Sequence, residues 1–295
     1  MASLYGVAPD QFLVTRGGDD AIDLLCRTFL DGPGDKAAVC VPSFSAYAHF
    51  ARLQGAGVVE IPLDEKFDLN PDAVIAAVRA DPAVRLLFLC TPNNPTGNAV
   101  NPADVLAIVD ALPDVMILAD EAYLEFGDTA SLALQAVVRD NLLVLKTLSK
   151  AFALAGARVG GLVGPAETLG IVGRALPPYP LPTLSVNAAL EALQPARRAL
   201  HRQRIAQLLA ERDRVAPLIA ASPYVTKVYP SAGNFLFLET RDTEALASRL
   251  AADGIKVRYR PQAAPGGLRL TIGTPQENDA ALARSEEHTS ELQSH

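Results

Sequence analysis

Three short runs, Val84–Cys90, Val115–Ala119 and Asn141–Lys146, are apolar at odd and even positions alike. A strand with one wet face alternates, so runs of this kind fit strands that are covered by helices on both sides. Ahead of them, Phe12–Thr15, Ala37–Val41 and Val58–Leu63 are each followed by an amphipathic stretch, at Asp19–Leu30, Ser45–Gln54 and Pro71–Ala80. This strand-then-helix rhythm predicts an α/β fold with a mainly parallel sheet in a large domain. Two helix starts are marked, because Asn70 before Pro71 and Asn101 before Pro102 each pair a capping side chain with proline at the first helical position.

The pattern changes at PPYPLP, residues 177–182. Proline removes backbone donors and fixes φ, which rules out a helix interior or central strand and places a domain junction just after this segment. A long helical stretch from Leu184 to about Ala220 follows. Strands near Val225–Tyr229, Asn234–Glu239, Lys256–Tyr259 and Leu268–Ile272, with a helix at Thr243–Ala252, then predict a smaller α+β domain. The expected division is 1–183 for the large domain, 184–283 for the linking helix and small domain, and 284–295 for a tail. That tail, RSEEHTSELQSH, is polar, aperiodic and identical in letters to one reading frame of a sequencing adapter, and is expected to be non-native. The opening residues read as the end of a helix, so a further amino-terminal segment is expected.

Charge and composition narrow the function. With 33 acidic against 26 basic residues, the chain has no overall attraction for nucleic acid or an anionic membrane surface. No apolar run approaches the roughly 18 residues of a membrane span, and Met1–Asp10 lacks a basic-then-apolar leader, so a cytoplasmic protein is expected. Cys26, Cys40 and Cys90 sit singly among apolar neighbours, as buried reduced thiols do. His49, His201, His288 and His295 form no metal-binding spacing, and no metal site is expected. Whatever chemistry occurs is expected to use other groups.

Lys150 lies in KTLSKAFALAGAR, residues 146–158, directly after an apolar strand. A lysine beside small and apolar residues loses its proton more readily than a solvated one and becomes an amine nucleophile, although most single lysines are plain surface residues. Asp120, in DEAY, ends another strand, at the edge where open α/β sheets bind ligands, and a carboxylate there can keep a pyridinium nitrogen protonated. Thr91–Gly97 is a turn at a third strand end, which on its own can serve geometry alone. Arg16-Gly-Gly-Asp-Asp20 joins a strand to a helix, so free N–H groups and the positive helix end can receive a phosphate, without any nucleotide-binding fingerprint.

In order and spacing, NNPTG, DEAY, TLSKAF with Arg158, SAGNF and LRLTIGTP resemble the fold-type I pyridoxal-phosphate aminotransferases, specifically the histidinol-phosphate aminotransferase family. The resemblance runs from about Leu4 to Ala283. It implies pyridoxal phosphate as cofactor, with Lys150 as the Schiff-base lysine that also moves the substrate Cα proton. Asp120 would pair with the ring nitrogen, Asn94 and Tyr123 with the ring hydroxyl, and Phe44 would stack on the ring. Gly18 and Asp19, Thr147 or Ser149, and Arg158 would hold the phosphate, while Arg269 and Arg258 would hold substrate anions. The implied reaction moves an amino group from L-histidinol phosphate to 2-oxoglutarate in a homodimer. The alternatives are another aminotransferase or a phosphothreonine decarboxylase of the same fold, and a non-catalytic regulatory domain.

Overall fold

A computed structural model describes residues 1–259 and 266–291, with side chains through Ala283. Its centre is a seven-stranded sheet in the order β1-β7-β6-β5-β4-β2-β3. The strands are β1 Phe12–Thr15, β2 Lys36–Val41, β3 Gly57–Pro62, β4 Val84–Cys90, β5 Met116–Asp120, β6 Leu142–Thr147 and β7 Gly160–Val163. All pairs are parallel except those of β7, which runs against both β1 and β6.

Helices cover both faces, as the doubly apolar runs require. On one face, α1 Gly18–Phe29, α2 Ala46–Leu53 and α6 Ala166–Gly173 bury Leu24, Leu25, Tyr47 and Leu169 against Leu86, Phe88, Leu118 and Leu145. On the other, α3 Pro71–Ala80, α4 Pro102–Ala111 and the short α5 Ala133–Ala136 bury Val74, Val78, Val105 and Ile108 against Leu87, Leu89, Ile117 and Val144. Adjacent residues of β4 from Leu86 to Cys90 thus enter different cores, which explains why that stretch is apolar throughout, while Arg85 near its start is exposed. The two asparagine caps form: Asn70 Oδ1 accepts from Ala73 N–H at 3.1 Å, and Asn101 Oδ1 from Ala103 N–H at 3.0 Å.

Past the proline segment come α7 Thr183–Ala192 and α8 Pro195–Ala220. The single helix expected over this stretch is therefore two, since Pro195 cannot donate to the preceding turn and opens a new helix instead. A four-stranded antiparallel sheet follows in the order β10-β11-β9-β8, from β8 Val225–Val228, β9 Phe235–Thr240, β10 Arg258–Tyr259 and β11 Gly267–Thr271. Leu236 and Leu238 of β9 with Leu268 and Leu270 of β11 pack on α8 and on Leu282 of α10 Pro275–Glu291. The remaining helix, α9, spans Thr243–Ala252 as expected. Phe235 and Phe237, one residue out of phase, lie on the opposite face of this sheet. The backbone of α10 continues to Glu291, beyond the change in sequence character at residue 284. At the amino end, short 3₁₀ turns at Ala2–Leu4 and Pro9–Gln11 stand where a helix end was expected.

Hydrogen bonds that join the two parts include those of Arg212 and Gly97. Arg212 of α8 donates from Nη1 to Phe126 O at 3.3 Å and to Gly233 O at 3.0 Å. Gly97, at φ 87°, accepts at its carbonyl from Ala232 N–H at 2.7 Å, and a Cβ on it would lie 2.5 Å from Ser231 Oγ. Glycine is required there by both backbone angle and space. The SAGNF segment, residues 231–235, is thus the part of the small domain that docks on the NNPTG turn.

Candidate active site

Because β7 alone is reversed, β1, β2, β4, β5 and β6 all end on one edge of the large sheet. Open α/β sheets collect their ligand-binding loops on that edge. A cleft lies there, and every residue assigned from the sequence to cofactor or substrate lines it. Gly18, Asp19, Phe44, Asn94, Asp120, Tyr123, Thr147, Ser149, Lys150 and Arg158 come from the large domain, and Arg258 and Arg269 from the small one.

Asp120 is the last residue of β5 and is buried. Tyr47 Oη donates to its Oδ2 at 2.7 Å, and Ala122 N–H donates to its Oδ1 at 3.0 Å. Burial pushes this carboxyl above its ordinary value; the Tyr47 bond, the Ala122 bond and the Lys150 ammonium pull it back, while Asp19 opposes them. The Tyr47 hydroxyl is itself pushed well up, by burial and then by the Asp120 charge, so it remains a donor. Tyr47 was not among the residues taken from the sequence. It sits three positions after Phe44 near the start of α2, stacked on Phe88 at 4.7 Å and edge-on to Phe44 at 5.6 Å. The i, i+3 spacing from Phe44 was the available signal.

Lys150 follows β6 in an exposed turn, with Nζ 5.2 Å from the centroid of the Tyr123 ring. On the other side of the same strand ends, Lys146 and Glu121 form a buried ion pair. Glu121 also accepts from Ser131 Oγ at 2.6 Å and Leu132 N–H at 2.7 Å. This pair ties β6 to the turn after β5 directly behind Thr147 and Asp120. Cys90 lines the cleft as well, and burial raises its thiol to about 12, so it stays protonated.

An anion-binding locus forms around the start of α1. Gly17, its N-cap, has φ 85° and offers no capping side chain, which leaves first-turn N–H groups directed outward. Asp20 turns away to accept from Arg16 N–H at 2.9 Å and Arg16 Nη2 at 2.9 Å. Arg158, itself in the left-handed region at φ 54°, brings Nη2 to Asp19 Oδ2 at 3.0 Å. A Cβ on Gly17 would fall 2.9 Å from Arg158 Nη2, so glycine makes room for the guanidinium. Ser149 Oγ lies 2.9 Å from Thr147 Oγ1, and Thr147 Oγ1 is 3.3 Å from Val159 O. When the single Thr147 hydroxyl hydrogen is donated to Ser149 Oγ or to Val159 O, the Ser149 hydrogen is available to an anion.

A second such locus belongs to the small domain. Arg258 and Arg269 are directly opposite each other on β10 and β11. Like charges at paired positions repel, and an anion between them removes the penalty. Arg269 Nη1 donates to Asn94 Oδ1 at 2.6 Å, and its guanidinium lies 4.8 Å above the Phe235 ring. Its Nε is buried without a partner in the structure. The Asn94 contact was not foreseen; it leaves the amide NH₂ of Asn94 as the donor facing the cleft.

Residues 1–284 match the family described as aminotransferase class I and II. The chain belongs to that family. Among its relatives is the histidinol-phosphate aminotransferase of Stenotrophomonas maltophilia, 41% identical over 290 residues, spanning 96% of this chain and 79% of that protein. The histidinol-phosphate aminotransferase of Sinorhizobium meliloti, solved in complex with pyridoxal-5'-phosphate, superposes with a TM-score of 0.90 at 23% identity, over 99% of this chain and 80% of that one. The L-threonine-O-3-phosphate decarboxylase of Porphyromonas gingivalis does so with a TM-score of 0.83 at 20% identity, over 98% and 86%. At such identities likeness establishes the fold alone, and the fold serves both reactions. Among the described residues of this class I and II aminotransferase, no helix is long and apolar enough to cross a membrane.

Proposed function

We propose that this aminotransferase moves the amino group of L-histidinol phosphate to 2-oxoglutarate, in histidine biosynthesis, with pyridoxal phosphate as cofactor. The observation that carries the reading is the convergence of Lys150, buried Asp120 and the cations Arg158, Arg258 and Arg269 on one cleft. The relative at 41% identity supports the choice of donor.

The donor set fits the cofactor on structural grounds. A phosphate needs cations and free N–H groups, which Arg158, Ser149 and the uncapped start of α1 supply beside the space kept by Gly17. A pyridinium nitrogen needs a buried anion, which Asp120 supplies. When bound, pyridoxal phosphate provides an electron sink for the pair released at the substrate Cα.

The chain's own groups do the rest. Asp120, oriented by Tyr47 and Ala122, holds the positive charge at the ring nitrogen. Asn94 and Tyr123 would donate to the ring hydroxyl, and Phe44 would cover one face of the ring. Lys150 would hold the cofactor through Nζ, and once the substrate amine has displaced it, the freed Nζ amine could take the Cα proton and give it back. Arg269 and Arg258 hold the phosphate of the donor and then a carboxylate of the acceptor, both of which answer the same facing pair of cations. A cytoplasmic homodimer is part of this reading. Tyr179, Leu184 and Leu190, 97%, 83% and 59% exposed, supply apolar surface for a second copy.

Purified protein supplied with pyridoxal phosphate, L-histidinol phosphate and 2-oxoglutarate is expected to form glutamate. No turnover of that donor, with turnover of another amine in a panel, would refute the substrate assignment. Carbon dioxide release from phosphothreonine would place the protein with the decarboxylases.

A further inference from the structure

Phe67 lies in the loop between β3 and α3 at φ 63°, a region that a bulky side chain occupies only when its surroundings hold it there. The loop is tightly built. Asp64 accepts at its carboxylate from the N–H groups of Lys66 and Asp68, both at 2.8 Å, and at its carbonyl from Phe67 N–H at 2.9 Å. The Phe67 ring crosses to the small domain, 4.8 Å from the Tyr229 centroid and 5.5 Å, edge-on, from that of Phe237.

Phe237 is the direct cross-strand partner of Arg269. Opposed residues of an antiparallel pair share a face of the sheet. Phe235, two positions earlier on that face, is the ring over which the Arg269 guanidinium lies. Phe67 therefore bears on the surface from which Arg269 projects.

A second path leads back through the large domain. Asn98 donates to the Phe67 carbonyl, and the Thr96 hydroxyl donates to Asn98. Asn93 Nδ2 donates to Thr96 Oγ1 at 2.7 Å, and Asn94, the next residue, accepts from Arg269. The contacts close into a ring that runs from Phe67 to Phe237, Arg269, Asn94 and, by way of Asn93, Thr96 and Asn98, to Phe67 again.

We infer that Phe67 is a positioning residue for Arg269: wedged against Phe237 and Tyr229, it fixes the small-domain sheet against the NNPTG turn and so sets where Arg269 meets a substrate anion. The inference rests on the reading of Arg269 as an anion-holding residue. It predicts a larger effect on anion binding than on cofactor binding.

The test uses cofactor-loaded Phe67→Gly, Phe67→Tyr and Arg269→Lys enzymes, titrated with the unreactive dicarboxylate glutarate and followed by visible absorbance. Glycine removes the ring and accepts a positive φ without strain. Losing two aromatic contacts corresponds to a rise in the glutarate Kd of roughly fivefold or more. The pyridoxal phosphate Kd is expected to rise by clearly less, because Asn94 is the one residue in this ring of contacts that is also assigned to the cofactor. Phe67→Tyr is expected to bind glutarate like the parent. Unchanged glutarate binding in Phe67→Gly, with binding lost in Arg269→Lys, overturns the role of Phe67 alone. Unchanged binding in Arg269→Lys overturns the reading of Arg269 and this inference with it. Equal losses of glutarate and cofactor affinity would make Phe67 a general packing residue, which also overturns it.

Discussion

Replacing Tyr47 with phenylalanine removes one oxygen from a residue that is fully buried between Phe44 and Phe88, and leaves the packing volume nearly intact. What is lost is the donor to Asp120 Oδ2 at 2.7 Å. A hydrogen bond to a charged, buried acceptor is worth about 1.5–3 kcal/mol, or roughly 10- to 100-fold in an equilibrium that depends on the ionised carboxylate. Pairing with a ring-nitrogen cation is such an equilibrium. Burial already lifts the Asp120 carboxyl, and the Tyr47 bond is the largest influence pulling it down, so the variant's carboxyl rises further. The ionised form exists above the pKa. Cofactor affinity in Tyr47→Phe is therefore expected to fall away on acidification at a higher pH than in the parent. The groups that set this limb are Tyr47 on α2, Cys90 on β4, Lys150 after β6 and Asp19 on α1. Fluorescence titration of the apoenzyme with pyridoxal phosphate between mildly acidic and neutral pH measures it. Coincident affinity profiles for the two proteins would refute the argument.

The buried Lys146–Glu121 pair predicts asymmetry between single and double replacements. Glu121→Gln leaves an uncompensated buried ammonium and is expected to cost about 3–5 kcal/mol in urea unfolding, whereas Glu121→Leu with Lys146→Met recovers part of that loss. Gly97→Ala should destabilise by about 1–3 kcal/mol, because its φ of 87° and the 2.5 Å approach to Ser231 Oγ both oppose a Cβ. Arg158→Gln should weaken pyridoxal phosphate by roughly tenfold or more while leaving unphosphorylated pyridoxal little changed, which separates phosphate recognition from general damage.

Much of this fold was legible because its central strands are apolar on both faces. β4, β5 and β6 announce themselves, and the Asn-Pro starts of α3 and α4 are local signals satisfied by their own first turns. β7 is not legible, since four residues reading GGLV carry little strand propensity and its place is set by β1 and β6 on either side. The break between α7 and α8 is marked by Pro195, but amphipathic sequence on both sides conceals it. In the cleft, the motif residues were accessible because chemistry demands their types. Tyr47 and Phe67 were not, because an aromatic near a helix start or in a loop means nothing until its partner is known. Asp120 is 73 residues from Tyr47, and Phe237 reaches Phe67 only through domain docking.

The central claim is that Lys150 carries the cofactor. Borohydride reduction of the pyridoxal-phosphate-loaded protein, followed by peptide mass spectrometry, tests it most directly. The account predicts a stable phosphopyridoxyl group on Lys150, absent from Lys150→Ala. The same group on another lysine, or no adduct on protein that has bound the cofactor, would contradict it.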